Sequence, residues 1–255
     1  MPLGNSGVYP PPQTLSALNI DARMSFYGTY VLLNEQVTLQ AQDPVLNEAA
    51  LRLGVSLRQT EDELISSMLS STSSFMNCTN GSDGDNPTEI TLADIQNVVR
   101  TLRNNSAYSF LSGISGENKF GTAPVRDAYF ALGSTQMIGQ VDNVQGFIQK
   151  WNYANQQSTL DAEYGSVSNL RFLLSPIGSV TPNASLLGND VMNIFCVGRE
   201  AYATVEQDGY SSKFIYRPGI YDGPLALNAS IGWTMATVPR LLNDTWCINM
   251  RCTLA

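Results

Sequence analysis

A long amphipathic segment at residues 43–76 dominates the pattern of apolar and polar positions. Its apolar side chains recur at steps of three, four or seven, which places them on one face of an α-helix. Asp43 and Pro44 are typical of a helix start, because the carboxylate accepts first-turn amides and proline there loses no needed donor. The pattern predicts one helix of about 50 Å with Gly54 as a possible bend. Its apolar positions are Leu46, Ala49, Ala50, Leu53, Leu57, Leu64, Ile65, Met68, Leu69 and Phe75.

Shorter segments predict further helices and strands. Thr91 and Asp94 have the spacing of a helix cap, and apolar residues then continue at helical spacing to Leu102. Two more helices are predicted at 143–157 and 198–205. Aromatic and β-branched residues predict strands at 26–33, 167–174, 191–197, 213–216, 234–242 and 246–253. Because helices and strands do not alternate regularly and no repeat recurs, the order favours a mixed α+β fold.

Three segments carry loop signals. Residues 1–12 include three consecutive prolines and predict an extended arm. Residues 80–87 contain Asp83 and Asp85, whose spacing suggests calcium ligands, but Pro87 stands where another oxygen ligand would be required. Residues 113–121 are rich in glycine without the spacing of a phosphate loop. We therefore predict no metal site and no cofactor site in these segments.

The chain contains no histidine, which narrows the enzyme classes that it fits. Histidine supplies the base of Ser-His-Asp and Cys-His nucleophiles, and it is the commonest ligand of catalytic zinc. A histidine-free enzyme would have to rely on paired carboxylates, as glycosidases do. We predict instead that the protein is not an enzyme, that it has no catalytic residue, and that no three acids converge in a deep pocket.

The charge composition argues against a nucleic-acid clamp. The chain has 14 basic and 22 acidic residues and a net charge of −8. The basic residues are scattered from Arg23 to Arg251 without a cluster, and affinity for phosphate comes mainly from neutralising it. An acidic, sparsely charged surface fits contacts that are polar and apolar rather than ionic.

The four cysteines are predicted to be free, structural thiols. They form no C-x-x-C pair, and Cys247 and Cys252 would point to opposite faces of one strand. The sequence also contains neither a long apolar run nor a signal-peptide pattern, so we expect cytosol-like conditions and no membrane partner. The remaining cysteines are Cys78 and Cys196.

Several sequence blocks occur in order along residues 20–253. They are FYGTYV (26–31), DPVLNEAA (43–50), LG (53–54), W and YA (151 and 153–154), EYGSV with RF (163–167 and 171–172), VGREAY (197–202), and PL with GW (224–225 and 232–233). In this order the blocks resemble the major capsid proteins of N4-like tailed bacteriophages. The likeness departs in two places, since the N-terminal arm is shorter than in that family and the loop at 178–189 has no counterpart.

The resemblance implies an α+β fold of the HK97-like phage capsid type, with a long spine helix, a peripheral domain and an axial domain. In that division, residues 1–20 form the N-terminal arm and residues 21–42 an extended β loop with its return strand. Residues 43–120 form the peripheral domain, whose spine helix is 43–76. Residues 121–245 are mainly the axial domain, and 246–255 form a C-terminal strand.

The function implied is a structural one. A major capsid protein self-assembles through hexamers and pentamers into the icosahedral head that encloses the double-stranded DNA of the phage. It would be assembled in the host cytoplasm and located in the virion. The expected partner is further copies of the chain; a portal, a scaffold and a cement protein are candidate partners, and only weak, non-specific contacts to the packaged DNA are expected.

Two other readings fit parts of the sequence. A histidine-free carboxylate enzyme would accommodate the long helix as an ordinary core helix. A phage tail or adhesin module would be dominated by β structure, which the long helix disfavours. Particle size separates a shell from an enzyme, because a shell protein sediments as a very large particle, whereas an enzyme would be small and have a deep pocket lined by paired acids. The few apolar residues of the arm suit contacts between subunits better than burial on its own subunit.

Overall fold

The computed structural model describes residues 19–34, 45–79, 86–111, 127–153, 159–185, 188–206, 212–219 and 227–253, together with residues 14 and 39. Several predicted segments lie outside these ranges. They are the arm at 1–12, the return strand expected between residue 34 and the long helix, the Asp83 to Asp85 loop and the glycine-rich segment 113–121.

The long helix is α1, Val45–Ser70, a continuous run of 26 residues. At about 1.5 Å per residue it is about 39 Å long. Leu53, Leu57 and Leu69, all on the predicted apolar face, are its buried residues. The prediction placed its end too late, because Phe75–Asn77 is a strand (β2) that pairs parallel to the last strand of the chain. The Ser and Thr residues after Ser70 bind backbone carbonyls and Asp244 instead of continuing the helix.

A small antiparallel sheet covers the first half of α1. Its central strand is β12, Asn228–Leu241, and β1, Ser25–Asn34, pairs with one side of it over ten residues. Along the other side, β10, Tyr202–Glu206, and β11, Ser212–Arg217, pair one after the other. Tyr27, Leu33, Ile231, Trp233 and Met235 face α1 and form a core with Leu53 and Leu57. This side of the sheet is called the inner face, and the opposite side the outer face.

A larger sheet, to which the described part of the chain contributes nine strands, lies against the C-terminal part of α1. Leu69 of α1 packs there with Phe195, Val197 and Cys247. The helix therefore joins the cores of both sheets. The strands not yet named are β3 (Phe110–Leu111), β4 (Asp127–Ser134), β5 (Ile148–Gln149), β6 (Glu163–Val167), β7 (Leu170–Ser175), β8 (Val180–Thr181), β9 (Val191–Val197) and β13 (Cys247–Thr253).

Two short helices cover the other face of the large sheet. They are α2, Leu92–Asn104, and α3, Ile138–Asn143. The predicted start of α2 is confirmed, because the Asp94 carboxylate accepts hydrogen bonds from the Thr91 amide at 3.1 Å and its hydroxyl at 2.6 Å. Three apolar side chains of α2 are fully buried in the largest core: Ile95, Val98 and Leu102.

Local propensity was misleading at two predicted helices. Over residues 143–153 the chain has the end of α3, the strand β5 and a single 3-10 turn, Lys150–Asn152, in place of the predicted helix. Gly146 has a φ of +82°, which ends the helical path there. The helix predicted at 198–205 is also wrong, because its second half is β10, whose pairing with the distant β12 outweighs its local preference.

Two strand predictions needed new boundaries. The strand predicted at 167–174 is β7, Leu170–Ser175, which begins after a turn from β6 in which Ser168 adopts a φ of 55°. The strand predicted at 234–242 begins earlier, at Asn228. The strands predicted at 191–197, 213–216 and 246–253 are confirmed as β9, β11 and β13 to within about one residue at each end. The domain boundaries inferred from the capsid resemblance stay predictions.

Candidate functional site

A mainly apolar recess lies between α1 and the large sheet. It has a volume of about 300 Å³. Its lining is mainly aliphatic and aromatic, including Ile65, Leu132 and Phe195. Burial and the neighbouring Glu61 raise the pKa of Asp62, the one acid among its described lining residues. Glu61 is not part of the lining, so the described lining of this recess contains no second carboxyl with which Asp62 could form the pair that glycosidic hydrolysis requires.

A buried ion pair lies at the edge of the same sheet. Glu163 on β6 and Arg171 on β7 are joined by an Arg171 Nε to Glu163 Oε1 hydrogen bond of 2.8 Å and by a second bond from the other guanidinium nitrogen. Tyr153 donates its hydroxyl to Glu163 at 3.0 Å, and the Leu160 amide donates at 3.1 Å. The Glu163 side chain is 0% exposed and that of Arg171 10% exposed. Every carboxylate oxygen is occupied, so the group ties the strands together and offers no free base.

The pKa values in this cluster follow from its contacts. Burial alone would raise the pKa of Glu163, but the hydrogen bonds from Arg171 and the Leu160 amide outweigh it and hold that pKa below its usual value. Burial raises the pKa of Tyr153 to about 12. Glu163 is therefore ionised and Tyr153 protonated at neutral pH, which is the state that stabilises the cluster.

A second acid fixes the end of α1. Asp244 accepts hydrogen bonds from the Thr72 hydroxyl at 2.5 Å, the Ser73 amide at 3.1 Å and the Ser73 hydroxyl. Burial opposes ionisation, but these donors lower the pKa of Asp244. The arrangement anchors the residues after α1 to the turn before β13. It is a structural tie, and sequence reasoning did not find it because 171 residues separate Ser73 from Asp244.

The four cysteines are buried and free, as predicted. Cys252 lies in the largest core and Cys247 in the core beside Leu69, which confirms that the two point to opposite faces of β13. The parallel pairing of β2 with β13 brings Cys78 next to Cys252, a neighbour that the sequence alone did not indicate. Burial raises the pKa of Cys247 to about 12, so it is a poor nucleophile.

In the described part of the chain, no three His, Cys, Asp or Glu side chains form a group that could hold a metal ion. The Asp83 and Asp85 pair lies outside that part. None of the described helices is long and apolar enough to cross a membrane.

Exposed apolar side chains concentrate on the small sheet rather than in a pocket. On its outer face, β1 presents Phe26, Tyr30 and Leu32, which are 71%, 69% and 58% exposed. Ile215 of β11 lies on the same face and is 45% exposed. Between them the floor is formed by small residues, including Gly28 and Gly232. A surface of this kind is suited to contact with another protein chain.

The described geometry matches known protein shells. The capsid of Ralstonia phage GP4 aligns with a TM-score of 0.64 at 13% identity, covering 91% of this chain and 74% of that one. The head structure of Helicobacter pylori bacteriophage KHP40 aligns with a TM-score of 0.61 at 10% identity, with coverage of 91% and 74%. The chain has the HK97-like capsid fold.

The HK97-like fold is also shared with an encapsulin. The holo-SrpI encapsulin complex from Synechococcus elongatus PCC 7942 aligns with a TM-score of 0.53 at 14% identity, covering 89% of this chain and 73% of that chain. No protein-family model matches the sequence, and no curated protein matches it either. Because these identities are low, the likeness establishes the fold, and the function has to be argued separately.

Proposed function

We propose that the protein is the major capsid protein of a tailed bacteriophage and that copies of it assemble into the icosahedral head. The observation that carries the proposal is the HK97-like fold over about nine tenths of the chain, shared with phage heads and capsids. Those two structures are a phage head and a phage capsid, and each of them aligns with 91% of this chain.

The arrangement of the chain supports a structural role. α1 packs against both sheets, so it can transmit load between two parts of the subunit. The described polar clusters are internal ties, whereas the exposed apolar residues are spread over a sheet surface. Subunits of a closed shell need such self-complementary contact areas and need no catalytic group.

The partners follow from the same proposal. Further copies would form hexamers and pentamers, and a portal, a scaffold and a cement protein are possible additional partners. The net charge of −8 favours at most weak, non-specific contact with packaged double-stranded DNA. The protein would be located in the virion after assembly in the host cytoplasm. The narrower assignment to N4-like phages is supported by the ordered sequence blocks from FYGTYV to the GW of residues 232–233.

Assembly of the purified protein tests the proposal directly. After expression, sedimentation and negative-stain microscopy should show closed particles of uniform diameter. A protein that stays monomeric, alone and with its phage's scaffold protein supplied, would contradict the proposal. A particle-free protein that hydrolyses glycosidic substrates would support the carboxylate enzyme instead, and one that assembles into fibres or tail tubes would support the tail module.

The encapsulin match gives a second candidate for what the shell contains. Since the same fold builds phage heads and an encapsulin complex, the fold alone does not decide the cargo. Particles isolated from infected cells should contain nuclease-protected double-stranded DNA if the shell is a phage head. Particles that carry protein and no protected DNA would favour the encapsulin-like function.

A further inference from the structure

A polar recess lies on the large sheet beyond the end of α1. It has a volume of about 340 Å³, and its lining includes Ser70, the last residue of α1, and side chains of β8, β9 and β13. Cys247 of β13 faces α1, and Asn249 and Arg251 lie on the same face because side chains alternate along a strand. Arg251 is the one charged residue among the described lining residues. In a protein of net charge −8, this recess therefore offers a positive charge.

Asn249 is a buried side chain whose hydrogen bonds are incomplete. It is 2% exposed, and its Nδ2 donates to Asn193 Oδ1 at 3.2 Å. Its Oδ1 accepts no hydrogen bond within the described part of the chain. Buried polar atoms of native proteins are nearly always paired, because an unpaired acceptor has lost its hydration without compensation. The amide oxygen of Asn249 therefore calls for a further hydrogen-bond donor.

The neighbouring Asn193 holds the Asn249 amide in its orientation. Asn193 Nδ2 donates to the hydroxyls of Ser179 and Thr181 at 3.1 and 2.9 Å. Asn193 Oδ1 is therefore left as the acceptor for the Nδ2 of Asn249. Both hydroxyls also line the recess, and each has one hydrogen of its own to donate. The lining thus has several donors and one unpaired acceptor.

Arg251 places its positive charge beside Asn249. Its guanidinium carbon lies 4.3 Å from the centre of the Phe75 ring, and Phe75 stands directly opposite Asn249 in the pairing of β2 with β13. No carboxylate of the described residues forms an ion pair with this guanidinium. Arginine presents five N–H donors in a planar arrangement that suits oxyanions such as phosphate. The recess therefore offers charged donors and an acceptor to the same ligand.

We propose that the polar recess binds one hydrogen phosphate ion per chain. Arg251 donates to the phosphate oxygens, and the P–O–H group of the ion donates to Asn249 Oδ1. The hydroxyls of Ser179 and Thr181 supply further donors. A single water, which occupies about 30 Å³ in the liquid, could satisfy Asn249 but would leave most of the recess unfilled and the charge of Arg251 unmatched. The inference does not depend on the proposed capsid function, because all of these residues belong to one chain.

The unpaired acceptor narrows the choice of ligand. Hydrogen phosphate carries acceptor oxygens and one P–O–H group at neutral pH, whereas sulfate and the phosphodiesters of packaged DNA carry acceptor oxygens only. A carboxylate would pair with Arg251 and leave Asn249 Oδ1 without a donor. A phosphomonoester has a P–O–H group only below its second pKa of about 6. Free hydrogen phosphate is therefore the oxyanion that fits both groups at neutral pH.

Equilibrium dialysis of the purified full-length chain with radiolabelled phosphate tests the site. At pH 8 and constant ionic strength, we expect saturable binding of one ion per chain. Sulfate and methyl phosphate are the matched competitors, since all three ions are then dianions and only hydrogen phosphate has a proton to donate. Each should displace the label at least about tenfold more weakly than unlabelled phosphate, the factor expected for one hydrogen bond to a buried group. Absence of saturable binding, or equal or stronger displacement by either competitor, would overturn the proposal.

Arg251→Gln tests the cation. The change should weaken phosphate binding at least about tenfold, because it removes the charge-assisted donors. Arg103→Gln is the matched control, since it removes the same charge from an exposed residue of α2, on the other face of the large sheet, and should leave binding unchanged. Equal loss of binding in the two variants would show that overall charge attracts the phosphate and would contradict the site. If R251Q does not fold, the competition between the three dianions in the wild-type chain still decides.

Asn249→Ala tests the acceptor. In this variant the preference for hydrogen phosphate over sulfate and methyl phosphate should disappear, because the three dianions then meet the same donors. A change that only loosened the fold would weaken the binding of all three ions and preserve their ratio. An undiminished preference for hydrogen phosphate in N249A would refute the role of Asn249 Oδ1. None of these results bears on the capsid function, which particle formation tests separately.

Discussion

Replacing Glu163 by glutamine should strongly destabilise the subunit. Glutamine keeps the size of the side chain and an oxygen for Tyr153, but it leaves the Arg171 guanidinium buried without a counter-charge. Because the Arg171 side chain is only 10% exposed and that of Glu163 is 0% exposed, solvent cannot replace the lost carboxylate. Removal of one partner of a buried pair typically costs about 3–5 kcal/mol. That is a large part of the roughly 5–15 kcal/mol by which a protein is stable.

Glu48→Gln is the matched control for this experiment. Glu48 and Arg52 on α1 are joined at 2.8 Å, the same distance as the Arg171 Nε to Glu163 Oε1 bond. Their side chains are 60% and 80% exposed, so water screens the pair. We expect the E48Q change to lower the unfolding free energy by no more than about 0.5 kcal/mol. The two variants differ mainly in the burial of the pair that they break.

Urea unfolding of the dissociated subunit, followed by tryptophan fluorescence, measures both changes. With a slope of about 1–3 kcal/mol per molar urea, E163Q should lower the midpoint by about 1 M or more. The double variant Glu163→Gln with Arg171→Met should recover most of the loss, because it removes the unpaired charge. Equal midpoints for E163Q and E48Q would refute the reasoning.

The same pair predicts a pH dependence. The pKa of Glu163 is lower in the folded than in the unfolded chain. Its contribution to the free energy of unfolding is therefore fully present above the pKa of a glutamate in the unfolded chain, about 4.3. It is lost as the pH falls through the lower folded-state pKa. The wild-type unfolding free energy should therefore decrease below about pH 4, more steeply than that of E163Q. The unfolding free energy of E163Q should still decrease somewhat at low pH, because the pKa of Asp244 is also lowered in the folded chain.

Three further predictions concern the helix, the cysteines and the arm. Leu57→Pro in the middle of α1 should cost roughly 3 kcal/mol or more, and correctly sized, stable particles from this variant would count against the helix as the spine. All four cysteines should react with a thiol reagent only after denaturation, and disulfide-linked ladders of the wild-type protein on a non-reducing gel would overturn this. Deleting residues 2–12 should leave the thermal unfolding of the dissociated subunit nearly unchanged and reduce the yield or stability of closed shells. A deletion variant whose isolated subunit is unfolded, or one that forms shells as readily and as stably as the full chain, would contradict the predicted role of the arm.

The sequence determined those features whose physical cause is local. The period of apolar residues identified the buried face of α1, since Leu53, Leu57 and Leu69 are all on the predicted stripe. Thr91 and Asp94 identified the start of α2 because both partners of the cap lie within one turn. Alternation placed Cys247 and Cys252 on opposite faces of β13. The overall fold was predicted from the resemblance of ordered sequence blocks to a known family, because composition and periodicity alone could not have supplied it.

Only the tertiary structure decided the features that join distant parts of the chain. The segment 202–206 has an ambiguous local preference and becomes a strand because β12, more than 30 residues later, offers it hydrogen-bonding partners. β1 likewise pairs with a strand about 200 residues away. Asp244 ends α1 through Ser73, and the outer face of the small sheet exists only once β1 and β12 are paired. Such pairings depend on which surfaces the whole chain buries together, so no local pattern determines them.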